Sequence, residues 1–574
     1  MRRLVLVSLI AVALAACQSH DSDQAPPAAS APAASVAAPV PTPVADGPHT
    51  FSPEITAEDF GRHLKTISSD EYEGRKPGTL GERLTINYLI EQFKAMGLEP
   101  GNKGDWVQSV PAVSTTLEHQ DTLKLDIAEG GGNEAFAFKT DFVAGTLQAK
   151  PEVELKDSDV VFMGYGVDAP ESQWNDYDGI DVKGKTLIVL VNDPGWDGND
   201  ANLFKGREMT YYGRWTYKYE EAARKGAAAV FIVHQTEPAA YGWNVVQSGW
   251  TTPRLDLPES EDPSPRLPVA GWITLDAAHR LFAKAGQDFD ALQKQAGTRG
   301  FKAVPLNAKA SITLESTIAH SISSNVIAMV KGSKRPDEAI VYTAHWDHLG
   351  KDETLKGHQI YNGAVDNGTG IAALLEIAGK FAGENPKPER SVVFAAVTME
   401  ESGLLGSQYY VAHPPFPLAK TVADINMDAL PIIGETKDME VTGMGQSQLE
   451  DEFKTVLATQ GRVISGDAAP EKGHYFRSDH FNFAKAGVPA LAAGSGEDLV
   501  VGGTAAGKAA SEDYVKNHYH QPTDVYDPKW NFDGVIKNVQ AYYALGEKLA
   551  NSESFPEWNP NSEFRAKREA MMKK

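Results

Sequence analysis

The apolar residues in the second half of this chain fall in continuous runs. AIVYTA (339–344), SVVFAAVTM (391–399), ADINM (423–427) and VPALAAG (488–494) show no alternation with polar residues. Strands of that kind are buried on both faces. Between and after them lie two helical stretches, GIAALLEIAGKFA (370–382) and GVIKNVQAYYALGEKLA (534–550). Buried strands alternating with helices predict an α/β fold with a mostly parallel central sheet and helices on both faces.

Nearer the N-terminus, Thr56 opens a helical pattern carried by Phe60, Leu64 and Ile67, with Asp59 placed for a capping box. A loop, EGRKPGTLG, leads into a second helix with Leu84, Tyr88, Leu89, Phe93 and Met96 on one face and Gly97 as its stop. Beyond residue 140 the texture changes to short β-like runs (VVFMGYGV, TLIVLVND, AAVFIVH) rich in Gly and Pro breaks. The implied organisation is a core domain in two parts, 51–140 and 306–555, interrupted by a β-rich insert at 141–305 and followed by a charged tail at 556–574.

The first residues read as a targeting segment. Arg2 and Arg3 precede an apolar run (4–14) too short to span a bilayer, and Leu14-Ala15-Ala16 sets small residues before Cys17. This is similar to a bacterial lipoprotein box, so 1–17 is expected to be a signal peptide ending in a lipidated Cys17 that anchors the chain to a membrane. An ordinary signal peptide with an incidental cysteine is the alternative. Gln18 favours the outer membrane over the inner one. Residues 18–50, rich in Ala, Pro and Ser, lack the side chains to bury a core and read as a tether. Cys17 is the only cysteine, so the folded part has no disulfide. The formal charge of −23 argues against nucleic acid as a partner.

The candidate chemistry sits at the ends of the predicted elements. His345, in AHWDHLG, follows one buried strand. Glu400 and Glu401, in TMEESGLLGS, follow another, and Asp428, in INMDAL, a third. Asp366, in GAVDNGTG, lies just before a helix. Functional residues of open α/β sheets gather at the carboxyl ends of strands. Singly each residue has a plainer reading: a hydrogen-bonded histidine, a helix cap, a turn, a solvated pair. With His520, however, His345, Asp366, Glu401 and Asp428 make two imidazoles and three carboxylates, a set suited to zinc or a similar divalent ion. An odd number of carboxylates lets one bridge two metals. His474, His480 and His518 compete with His520 for the last place.

These phrases resemble those of the co-catalytic zinc aminopeptidases, metallopeptidase family twenty-eight, which also includes glutamate carboxypeptidase and the non-catalytic transferrin receptor. The His-x-Asp, Asp-Asn, Glu-Glu, Asn-x-Asp, Ser-Asp-His and closing Tyr-His elements are all present. DYDGIDVKGKTLIVL and EEAARKGAAAVFIVH resemble a protease-associated domain in the insert. The resemblance implies a zinc-peptidase fold, two zinc ions and peptide substrates. His345 and Asp428 would hold one zinc, Glu401 and His520 the other, and Asp366 would bridge them. His520 is chosen by its Tyr-His phrase. Glu400 would be the general base for a metal-bridging hydroxide, Asp347 would accept a hydrogen bond from a ligand imidazole, and Tyr475 would stabilise the oxyanion. His480 would be structural, His348 a residue of the rim or one that supports a ligand, and the Asp366–Asn367 peptide cis. The expected activity is removal of N-terminal residues from peptides. A carboxypeptidase or dipeptidase using Arg477, a receptor-like homologue without catalysis, and a glutaminyl cyclase are the alternatives.

Overall fold

The computed structural model describes residues 43–44, 47 and 49–573, apart from 130–131 and 198–201. The signal segment, Cys17 and most of the 18–50 tether lie outside the described residues. No described helix is long and apolar enough to cross a membrane.

The four apolar runs form the middle of the main sheet. Strand Arg335–His345 lies between Arg390–Val397 and Thr421–Asn426, parallel to both, and Thr421–Asn426 runs parallel to Ala490–Ser495. Every residue of Arg390–Val397 and of Thr421–Asn426 is buried, as unbroken apolar strands require. The helices Gly370–Gly383 and Asp533–Asn551 are the predicted ones. The sheet is extended antiparallel on both sides. Val304–Val330 pairs antiparallel with Arg390–Val397 and with Val107–Leu117, and Asp438–Val441 pairs antiparallel with Ala490–Ser495.

The 27-residue strand Val304–Val330 runs through two sheets. Its second part belongs to the main sheet. Its first part pairs with Lys124–Glu129 and Glu152–Phe162 in a second sheet. There Glu152–Phe162, Thr186–Leu190, Ala229–His234 and Val269–Thr274 run parallel, around a separate apolar core that includes Phe162, Phe231 and Trp272. This sheet draws on residues before 141 and after 305. The strand Arg254–Asp256, from the insert, crosses back to pair with Val113–Thr115 at the edge of the main sheet.

The first helix is Ala57–Ile67, capped as expected by the Thr56 side chain accepting from the Asp59 N–H. The reciprocal half of the capping box does not form. The Asp59 carboxylate accepts from Ser52 N–H and His49, and the Thr56 N–H donates to Glu376. Residues 556–573 do not form a loose tail. Trp558 and Phe564 are buried in the cluster beside the main sheet, Trp558 donates to the Gly487 carbonyl, and Arg565–Met572 is helical. Most of the segment's charges lie on the outer face of that packing, but Arg568 is buried and donates to the Leu418 and Thr421 carbonyls.

Candidate metal centre

Strand ends bring His345, Glu401 and Asp428 together with Asp366, in the turn before helix Gly370–Gly383, and His520, just beyond helix Gly503–Asn517. The carboxylate of Asp366 divides between the two imidazoles: Oδ1 is 3.3 Å from His345 Nε2, and Oδ2 is 3.1 Å from His520 Nε2. His345 Nε2 also meets Asp428 Oδ1 at 3.1 Å, and His520 Nε2 meets Glu401 Oε2 at 3.1 Å. Two groups of three donors therefore share Asp366. Ligands about 2.0–2.1 Å from a tetrahedral ion stand roughly 3.3–3.4 Å from each other. The observed separations are close to that edge length, so the donor sets fit divalent cations.

The backbone is shaped around these groups. The Asp366–Asn367 peptide is cis, as the resemblance implies. The Asn367 side chain donates to the Met427 carbonyl and accepts from Ala429 N–H, tying the Asp366 turn to the Asp428 turn. Gly370 is required there, because a Cβ would lie 2.4 Å from the Met427 carbonyl oxygen. Met399, Ala429 and His520 take positive φ values of 53°, 48° and 56°. Left-handed backbone in non-glycine residues clusters at functional sites.

Neighbouring groups fix the ligands' remaining polar atoms, as ligand orientation needs. Ser478 donates to Asp428 Oδ2 at 2.6 Å and accepts from the Asn426 amide. His348 is buried, with Nδ1 2.6 Å from Glu401 Oε1, while Glu401 Oε2 faces His520. His348, Asp366 and Glu401 could also hold an ion, as could His345, Glu400 and Asp428. A separation of 2.6 Å is that of a direct hydrogen bond, shorter than two ligands of one ion would keep. His348 therefore orients Glu401, from an interior position and not from the rim. Asp347 differs from expectation in detail. His345 Nδ1 lies 3.1 Å from the Asp347 backbone carbonyl, and the Asp347 carboxylate is 3.8 Å away, accepting instead from the Glu400 N–H. The short link between the two residues lets the carbonyl reach the ring first.

The electrostatics follow from crowding five carboxyl groups around the imidazoles of His345, His348 and His520. Burial alone would lower the His520 pKa, but its bonds to Asp366 and Glu401 raise it to about 10. His345 behaves alike: burial lowers, and Asp428, Glu400 and Asp366 carry it well above its usual value. Burial, with Asp428 and Glu401, holds Glu400 well above the usual carboxylate range against the pull of His345. Burial pushes Asp347 up to about 7. Such a cluster demands positive charge, supplied by protons or by metal ions.

Tyr475 is not brought into this set. Its ring packs with Met209, Phe476, Phe481 and Phe564, and its buried hydroxyl lies in the field of Glu563, Glu450 and Asp424. Tyr519 does reach the site. Its ring stacks on His520 at 3.9 Å, in the field of Asp366, Glu401, Asp428 and Glu400. The adjacency of Tyr519 to His520 was the only sequence signal for it. His480 is buried, with its pKa pushed down to about 3 by burial, so it is an uncharged structural ring. Asp524 accepts from Val365 and Asp366 N–H.

Beside a parallel-centred α/β sheet, two histidine–carboxylate pairs thus share one aspartate, a donor set fit for divalent cations. Residues 325–544 match the sequence profile of peptidase family M28, and the chain carries a metallopeptidase domain of that family. It is similar to "Probable lipoprotein aminopeptidase LpqL" of Mycobacterium tuberculosis, 25% identical over 84% of this chain and 82% of that protein. It is also similar to "Aminopeptidase NAALADL1" of Mus musculus, 29% identical over 28% of this chain and 21% of that protein. A solved aminopeptidase from Aneurinibacillus sp. strain AM-1 overlays on 88% of this chain and 96% of its own, at 19% identity and a TM-score of 0.46.

Proposed function

We propose that this protein is a di-zinc exopeptidase that removes N-terminal residues from peptides. The observation that carries the reading is the Asp366 carboxylate, whose two oxygens face different histidines at 3.3 and 3.1 Å. His345 and Asp428 would hold one ion, His520 and Glu401 the other, with Asp366 shared. Bound zinc supplies Lewis acidity and acidifies water at neutral pH. Glu400, next to the ligand Glu401, takes the proton of the attacking water and passes it to the leaving amine. The Asp347 carboxylate holds the Glu400 N–H and so fixes the base's backbone. Tyr519 forms an aromatic wall at the mouth. Tyr475, buried in the apolar cluster with Phe476 and Phe564, is left without the oxyanion role.

The insert at 141–305 is read as a protease-associated domain that buttresses the site. Leu257 packs with Met399 and Leu405, which flank Glu400 and Glu401, and Tyr211 stacks near Phe476 and Phe564. Arg477, which the carboxypeptidase reading needs for substrate carboxylates, is exposed and donates to the Lys472 carbonyl. The Leu14-Ala15-Ala16-Cys17 sequence, with the name of the mycobacterial relative, supports an exported lipoprotein anchored through Cys17. Gln18 supports the outer membrane.

The test compares free-amine and N-acetylated peptides on enzyme whose metal content has been measured. Two zinc ions per chain and cleavage of the free-amine peptides alone are expected. Equal cleavage of the acetylated peptides would remove the aminopeptidase assignment.

A further inference from the structure

The loop EGRKPGTLG lies far before the matched 325–544 region, yet it sends one side chain to the metal centre. Arg75 is 1% exposed, with φ +50°. Its guanidinium donates to four backbone carbonyls: Nε to Trp346 at 2.8 Å, Nη1 to Ile67 at 2.8 Å and Asn362 at 2.7 Å, and Nη2 to Gly363 at 2.8 Å. Trp346 directly follows the ligand His345. Asn362 and Gly363 lead into the shared ligand Asp366. One cation thus spans the two segments that bring His345 and Asp366 together.

The amide side of the second segment is held by the opposite charge. The Asp524 carboxylate, 2% exposed, accepts from Val365 N–H at 3.0 and 3.2 Å and from Asp366 N–H at 3.1 Å. Asp524 follows the ligand His520 by four residues. Residues 362–366 are therefore gripped through carbonyls by Arg75 and through amides by Asp524, two groups distant in sequence.

We propose that Arg75 and Asp524 form a clamp that sets the spacing of His345 and Asp366, making both positioning residues for the metal centre. The proposal rests on the reading of these ligands as a metal site. A planar fork reaching carbonyls in several directions needs arginine, since lysine offers its donors from one nitrogen. Arg75 also stays charged at neutral pH. Burial lowers its pKa to about 10 against the upward pull of Asp524, Asp366, Asp347 and Glu401. Before metal binds, it is a fixed cation within the carboxylate cluster.

The experiment uses the full chain with Arg75→Lys, Arg75→Gln and Asp524→Asn, and the Arg75→Gln/Asp524→Asn double variant. Zinc affinity is measured by competition with a chromophoric chelator, and Tm with and without zinc. Groups that orient ligands change metal affinity about 10–100-fold. A loss in that range is expected for each single variant, with Arg75→Lys giving no rescue, a smaller zinc-induced rise in Tm, and a double variant weaker than the sum of the singles. Metal-free and zinc-bound Tm falling together, with affinity unchanged, would show that Arg75 only supports the fold and overturn the proposal. Should the Arg75 variants fail to fold, the near-isosteric Asp524→Asn carries the same two readouts alone. A wild-type chain that binds no zinc would instead remove the metal-site reading, and the proposal with it.

Discussion

Replacing Glu400 by glutamine separates the two adjacent glutamates most sharply. The change keeps the size and shape of the side chain, replaces one acceptor oxygen by an NH2 donor, and removes the charge and with it the ability to take a proton. The Glu400 N–H bond to the Asp347 carboxylate involves the backbone and survives. Neither His345 nor His520 depends on Glu400 for the contacts that pair them with Asp366, Asp428 and Glu401. Metal content should therefore stay at two ions per chain. Loss of a positioned general base costs about 10²–10⁴ in rate, roughly 3–5.5 kcal/mol of barrier at about 1.4 kcal/mol per tenfold. The fall should appear in kcat, with KM nearly unchanged, in steady-state assays on an amino-acyl substrate alongside metal analysis of the same sample. Glu400 also stands within ligand reach of His345 and Asp428. If Glu400→Gln lost one ion and kept substantial turnover, Glu400 would be a ligand and the roles of the pair would be reversed.

Three further outcomes follow from the geometry. Asp366→Asn should weaken both ions, because each donor group contains one Asp366 oxygen, whereas His520→Ala should release one and leave the His345–Asp428 ion; metal-to-protein ratios after dialysis decide this. Zinc affinity should rise with pH, since the metal must displace the proton of His520, whose metal-free pKa is raised to about 10, and that of His345, raised likewise. Each displaced proton adds about tenfold per pH unit below the imidazole's pKa, and a flat profile from pH 6 to 8 would refute the proton-for-metal exchange. Trp558→Ala should destabilise the chain by about 3–5 kcal/mol, read by denaturant unfolding, because Trp558 is buried against Gly487 and Phe564; a change within experimental scatter would show the C-terminal segment to be loosely held.

The sequence by itself determined the parallel middle of the main sheet and the placement of His345, Asp366, Glu400, Glu401 and Asp428 at its element ends. Those features are local: an unbroken apolar run defines a buried strand, and the residue after it must sit at the strand's end. His520 was legible only by phrase, because the chain around it carries no comparable apolar run. Tertiary structure alone decided the rest. The antiparallel margins depend on which distant strands pair. The burial of Trp558 and Phe564 in a stretch that reads as charged depends on a cavity supplied by other elements. His348 bonded to Glu401, Tyr475 turned into an apolar cluster, and Asp347 using its carbonyl for His345 are matters of side-chain direction that spacing does not encode. Arg75 and Asp524 show the same limit most plainly. They flank one short segment from positions hundreds of residues apart, and nothing short of the folded chain brings a cation to its carbonyls and an anion to its amides.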